Sequence, residues 1–362
     1  MKRYQLLLSL LLLSQLAFTQ DFEISDEDRL RYGKGCMGNE DCITAKVLQY
    51  SGRGYESIKV FWPVIHLAKE TKNWSLYLNC VSNVVYMYGG GDNYQIGIDL
   101  AYEALNLIQT EAPEYEKDCF WIYSSLMYIY EKNHDHKKEH EVVLQGVELL
   151  LKYYPKDHPL FIRAYTNLGS SYATLGQIDK VLDCYMKSRE IFESSPNPNK
   201  YEGIHNYHCI SSYYFEIGNF ELAIEYIEKT IELSVELFGA NDYQTFPAYL
   251  DLGHYLELQK EYARSLEYYE KAYYMDNLQH TTGDELRFGN TLNIHFSLAG
   301  LYLQTDQLEE ALDYYTKILA LLGDRKEKWV DQANAILGIA SVQYQHGDLD
   351  KALGPMSQPI LC

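Results

Sequence analysis

"NLGSSYATLGQIDKVLDCYMKSREIF", Asn167 to Phe192, sets a leucine beside a small residue (Leu168-Gly169) and a tyrosine three places on (Tyr172). A turn glycine (Gly176) and a second apolar stretch follow. "YLDLGHYLELQKEYARSLEYYEKAYYM", Tyr249 to Met275, has the same layout in different letters. Segments alike in plan but not in wording point to one structural unit used repeatedly. Aligned on the small or apolar residue after the Leu-like one, the chain gives Val85, Met127, Gly169, Ser211 and Gly253, each 42 apart. Ala299 follows after 46 positions and Ala340 after 41.

Other columns keep this register. Three positions beyond the anchor stand Tyr88, Tyr130, Tyr172, Tyr214, Leu256 and Tyr302. Twelve beyond it stand Gly97, Glu139, Val181, Ala223, Ser265, Ala311 and Ala352, small in most copies. Apolar residues recur at three- and four-residue steps on both sides of a break, which predicts two helices per copy. The break carries turn and cap residues at Gly176, Gly218-Asn219, Asp306 and Gly347-Asp348. Small residues let two antiparallel helices approach closely while the tyrosines fill the space around them.

The pattern resembles the tetratricopeptide repeat (TPR), a helix-turn-helix module whose usual period is about 34 residues. The 42-residue spacing is similar to the longer variety of kinesin light chains, with "KDHP" (Lys156 to Pro159) leading into "YTNLGSSYATLGQ". The resemblance implies an all-α fold, a right-handed α-solenoid of stacked helix pairs. It covers about seven copies over residues 80–353. Two copies depart from it: Glu139 stands where a small residue is expected, and the last copy breaks down after Leu353. Residues 20–79 read as a leader and degenerate helical cap. Within it, "RGYESIKVFWPVIHLAK" fits a second helix that Pro63 is expected to end or kink. Residues 354–362 read as an irregular tail broken by Pro355 and Pro359.

Composition narrows the function. With 362 residues, 47% hydrophobic, the chain is long enough for two ordinary domains or one elongated array. A net charge of −20 argues against sequence-independent nucleic-acid or anionic-membrane binding, which need clustered Lys and Arg. Lys2 and Arg3, the apolar run Leu6 to Phe18 and a site near Ala17-Phe18-Thr19 read as a secretory signal over residues 1–19. A membrane-retained anchor is the alternative, but the run is short for a bilayer. A secreted or periplasmic location follows as an expectation. In such a compartment Cys36 and Cys42, in "GKGCMGNEDC", could close a small disulfide loop, with two free thiols as the ordinary alternative. Cys80, Cys119, Cys184 and Cys209 fall in or beside predicted helices and read as small buried hydrophobes.

Catalytic signals are weak. No Gly-x-Ser-x-Gly, Walker loop, H-E-x-x-H or C-x-x-C occurs, and "YGGGDNY" (Tyr88 to Tyr94) falls at a turn without a following Lys-Ser/Thr. In "EKNHDHKKEH", His136 and His140 are four apart, as two metal ligands on a helix would be, with His134 nearby. The stretch reads more simply as a solvated turn. A proton-transfer role is the sharper reading of His205 and His208, and ligand contact or plain surface the ordinary one.

The expected function is therefore a binding surface without enzymatic activity and without a cofactor. Its partner would be a protein or peptide, with no small-molecule substrate. A helical solenoid lines its inner wall with the first helix of each copy. In this register those positions include Asn83, Tyr86, Trp121, Ser124, Tyr128, Arg163, Thr166, Asn167, Ser170, His208, Ser212, Asp251, His254, Asn293 and Phe296. Amides can pair with a peptide backbone, and aromatic faces can bury side chains. The resemblance implies peptide contact by an asparagine just before the Leu-Gly pair, a place held by Asn167 and, in the first copy, Asn83. The plainer reading is a wet groove with no partner. The runner-up function is the sensory or regulatory front of a larger protein bearing a caspase-like peptidase or membrane signalling domain.

Overall fold

The computed structural model describes residues 29, 33, 35–50, 53–91, 93–278, 285–325 and 328–348. The expected signal (1–19), most of the leader before Gly35 and the tail after Asp348 lie outside the described residues. The described structure is all-α, with helices and no strand. In chain order the helices are α1 (Glu40–Tyr50), α2 (Gly54–Glu70), α3 (Trp74–Tyr88), α4 (Tyr94–Glu111), α5 (Phe120–Lys132), α6 (His136–Tyr153), α7 (Leu160–Thr174) and α8 (Ile178–Ser194). They continue with α9 (Lys200–Glu216), α10 (Phe220–Phe238), α11 (Phe246–Leu258), α12 (Tyr262–Leu278), α13 (Glu285–Gln304), α14 (Leu308–Leu322) and α15 (Trp329–Gln345). The chain divides into two compact units, residues 1–184 and 185–362, with the boundary inside α8. Each unit is a solenoid-type stack of antiparallel helix pairs.

Where its left-handed residue is described, the turn after the first helix of a copy has a single geometry. The residue seven beyond the anchor has positive φ in the six copies where that residue is described: His134, Gly176, Gly218, Lys260, Asp306 and Gly347, between +57° and +84°. The next amide reaches back to the carbonyl of the tyrosine column or its substitute. Examples are Gln177 to Tyr172 (2.9 Å), Asn219 to Tyr214 (2.8 Å) and Gln307 to Tyr302 (2.9 Å). This is the left-handed cap that satisfies the last carbonyls of a helix. Asp135 and Asn219 then cap the second helix by accepting the amides of Lys138 (3.3 Å) and Leu222 (3.2 Å).

The anchor and the residue twelve beyond it mark where the paired helices touch. Ser211 donates its hydroxyl to the Ala223 carbonyl (2.7 Å), and Ser265 donates to the Gly253 carbonyl (2.7 Å). Such contacts require small residues on both sides, so the column stays small. The same step joins Ser57 to the Ala45 carbonyl (2.6 Å), which makes α1 and α2 a repeat pair in contact as well as in pattern. Pro63 does not end α2, which runs through it to Glu70. Phe61, Val64, Ile65 and Ala68 are buried around it, and their packing outweighs the backbone hydrogen bond that proline forfeits.

Glu139 occupies the small column and is fully buried. His136 Nδ1 (3.0 Å) and the Thr174 hydroxyl (3.2 Å) hold its carboxylate. Burial raises its pKa, and the bonds from His136 and Thr174 oppose the rise. A buried carboxylate is tolerated only with such partners.

Candidate functional site: the first-helix face

In the first unit, α3, α5 and α7 are successive first helices. Tyr86 is 45% exposed, and its ring stacks on that of Tyr128, with centroids 4.3 Å apart. Burial raises the Tyr86 hydroxyl pKa, while the hydrogen bond from Tyr128 and the Arg163 charge oppose that rise. Trp121, 42% exposed, meets the edge of Phe120 at 5.4 Å. Arg163 and Ser170 are half-buried, as is Asn83, whose amide donates to the Asn79 carbonyl (2.7 Å).

Two expected residues are withdrawn from this face. Thr166 is 1% exposed and donates its hydroxyl to the Ile162 carbonyl (2.9 Å). Asn167 is 4% exposed and donates its amide to Ser124 Oγ (3.1 Å). That bond belongs to a series. Ser125 donates to the Ser82 carbonyl (2.9 Å), and His208 Nε2 meets Asp251 Oδ2 at 2.9 Å. All three join residues 43 apart. Each ties a first helix to the next one, so these polar positions are used first for stacking the repeats.

In the second unit the face is built on α9, α11 and α13. His254 is exposed, with its ring 5.5 Å from Phe215. Asn293 is exposed, Ser212 is half-buried, and Phe296 packs against the core of the sixth copy. Around His208 and Asp251 the face carries more chemistry than spacing suggested. Cys209 lies beside His208 in the chain, and its sulfur is 4.0 Å from His205 Nε2, one helical turn back. Burial lowers His208, but the Asp251 hydrogen bond and the Cys209 sulfur outweigh it and raise the imidazole to about 10. Burial pushes the Cys209 thiol up, and the two histidines reverse this, holding it well below the ordinary thiol range. Cys209 was expected to be a buried hydrophobe, but it is only half-buried. One signal could have found it: Cys209 stands two before its anchor, in the column of Asn83, Asn167 and Asp251.

A disulfide joins Cys36 and Cys42, with Cα atoms 5.5 Å apart, and Cys80 Sγ lies 3.8 Å from Cys42 Sγ. His136 and His140 lie in the first turns of α6 rather than in the turn before it. Their Nδ1 atoms are engaged by Glu139 (3.0 Å) and Ser171 (2.9 Å). Among the described residues, no group of three or more His, Cys, Asp or Glu is placed to hold a metal ion. No described helix is long and apolar enough to cross a membrane.

Paired helices, a common left-handed turn and contacts at a fixed twelve-residue step define a helical-repeat protein. One tetratricopeptide-repeat model matches residues 204–277, and a second matches 162–193 and 292–321. These segments are tetratricopeptide repeats. The chain is similar to a Signal Transduction ATPase with Numerous Domains protein with a TPR sensor from Pyrococcus horikoshii (16% identity, TM-score 0.60). That match covers 93% of this chain and 53% of the other. It is also similar to the anaphase-promoting-complex hetero-tetramer Cut9-Hcn1 (16% identity, TM-score 0.56), over 93% of this chain and 58% of that one. A Podosopora anserina protein described as a kinesin light chain aligns at 14% identity and a TM-score of 0.48. That alignment covers 56% of this chain and 93% of the other. At these identities the likeness is one of fold. No curated protein matches the sequence.

Proposed function

We propose that this chain is a non-catalytic interaction scaffold that holds a peptide or protein against the first-helix face of its TPR stack. The observation that carries this reading is the pair of exposed aromatics in the first unit. Tyr86 and Trp121 leave 45% and 42% of their surface in solvent on consecutive first helices. Tyr128, Ser124 and Arg163 lie on the same helix series and supply polar and cationic contacts. Large aromatic side chains beside hydrogen-bonding groups are the usual anchors of protein recognition. Asn167 enters this reading as a support for Ser124 rather than as a direct contact. Lys2, Arg3 and the apolar run after them support export, to the cell exterior or a periplasm. The acidity of the chain supports a partner other than nucleic acid or an anionic membrane.

The test is affinity capture from the extracellular or periplasmic fraction with wild-type protein and with Tyr86→Ala/Trp121→Ala. A partner held by the wild type and lost from the double variant, with the helical circular dichroism unchanged, supports the assignment. Identical partner lists would refute it.

A further inference from the structure

The cluster on α9 goes beyond a binding face. His205, His208 and Cys209 fall on little more than one turn of a helix, and Asp251 reaches them from α11. His208 Nε2 sits 2.9 Å from Asp251 Oδ2, so a carboxylate orients this imidazole and favours its charged form. His205 Nε2 approaches the Cys209 sulfur at 4.0 Å, and His205 Nδ1 is buried with no hydrogen-bond partner among the described residues. A thiol between two imidazoles, one of them fixed by a carboxylate, has the surroundings that turn cysteine into its nucleophilic anion. Cys80, Cys119 and Cys184 contrast with it, since all three are buried. Burial pushes the thiols of Cys80 and Cys119 up to about 12.

We propose that Cys209 is a nucleophilic thiolate on the first-helix face of the second unit, and that it takes up low-molecular-weight disulfides by exchange. In that step a lone pair on the Cys209 sulfur attacks one sulfur of the incoming disulfide. A new S–S bond forms and the original one breaks. The second sulfur leaves as a thiolate and takes a proton from water. The disulfide is the oxidant, and the product is a mixed disulfide on Cys209, formed once per chain. The titratable groups acting on the sulfur are His205 and His208 of α9, with Asp251 of α11 acting through His208. The inference is independent of peptide binding, because its residues lie in a different unit from Tyr86 and Trp121.

The experiment uses the full chain carrying Cys362→Ser, since Cys362 lies outside the described residues. The probe is 2,2′-dithiodipyridine, read by the pyridinethione released. At pH 6 an ordinary thiol is well under a hundredth ionised, whereas a thiolate held by imidazolium is mostly so. The lower intrinsic reactivity of a more acidic thiolate gives back part of that gain. The expected result is one equivalent of thione, released about ten-fold faster than from free cysteine at pH 6, with the label on the peptide bearing Cys209. Asp251→Asn should move the pH–rate profile toward that of free cysteine, and Cys209→Ser should remove the fast phase. A rate that follows free cysteine from pH 6 to 9, or a label found elsewhere, overturns the proposal. The wild-type profile and peptide map decide this even where a variant does not fold.

Discussion

At the scale of single residues, the left-handed turn position is the most informative. Glycine holds it in three described copies, while His134, Lys260 and Asp306 hold it in three others at φ between +57° and +62°. A side chain in this region costs on the order of 1 kcal/mol, and glycine does not. Lys260→Gly should therefore raise stability by about 0.5–1 kcal/mol, read as a shift in the urea midpoint at constant slope. The His208–Asp251 pair gives a second prediction. His208 is raised above its ordinary value, so its contribution to stability is complete below pH of about 6.5 and is lost as pH rises through about 10. The depressed Cys209 thiol acts in the opposite sense, since its contribution fades as pH falls through the folded value. In a Cys209→Ser background, which leaves the His208 contribution alone, adding Asp251→Asn should therefore cost more stability at pH 6 than at pH 10. Urea unfolding at the two pH values measures it, and an equal cost at both would show that His208 is not held as a cation.

At the scale of the element, the close approach of paired helices decides which glycines are required. A Cβ on Gly253 would lie 2.5 Å from the Tyr269 ring, inside any tolerated contact, whereas one on Gly300 would meet nothing within 4 Å. Both glycines are helical, so alanine gains about 1 kcal/mol of propensity at either site. Gly300→Ala should stabilise the protein by about 0.5–1 kcal/mol, and Gly253→Ala should destabilise it by about 1–3 kcal/mol because the ring must move. Thermal melts of the two variants should shift in opposite directions. The pairing itself was legible in the sequence, because the anchor and small columns recur in register with the contacts they make. Pro63 and Glu139 show the limit of that reading: local rules say where a residue is uncomfortable, and the burial and hydrogen bonds that compensate are set by the folded chain.

At the scale of the whole molecule, charge dominates. A net charge of −20 on 362 residues means that self-repulsion opposes the compact state. Added salt screens it, so the melting temperature should rise by a few degrees between about 10 mM and 150 mM sodium chloride. A fall over that range would mean that the surface ion pairs, among them Lys69–Glu103 and Lys152–Glu116, contribute more than the repulsion takes away.

The amino-acid order by itself determined the repeat, its two helices, the turn between them and the face each first helix presents. These follow from spacing, and spacing is a one-dimensional property. Only the folded chain decided which polar residues on that face remain open. Asn167 closes onto Ser124, Thr166 turns to its own backbone, and Cys209 comes to rest between two histidines beside Asp251. Asn167 and His208 find their partners one repeat away, Thr166 and Cys209 within their own helices, and in each case hydrogen-bond geometry and burial, rather than periodicity, select the partner.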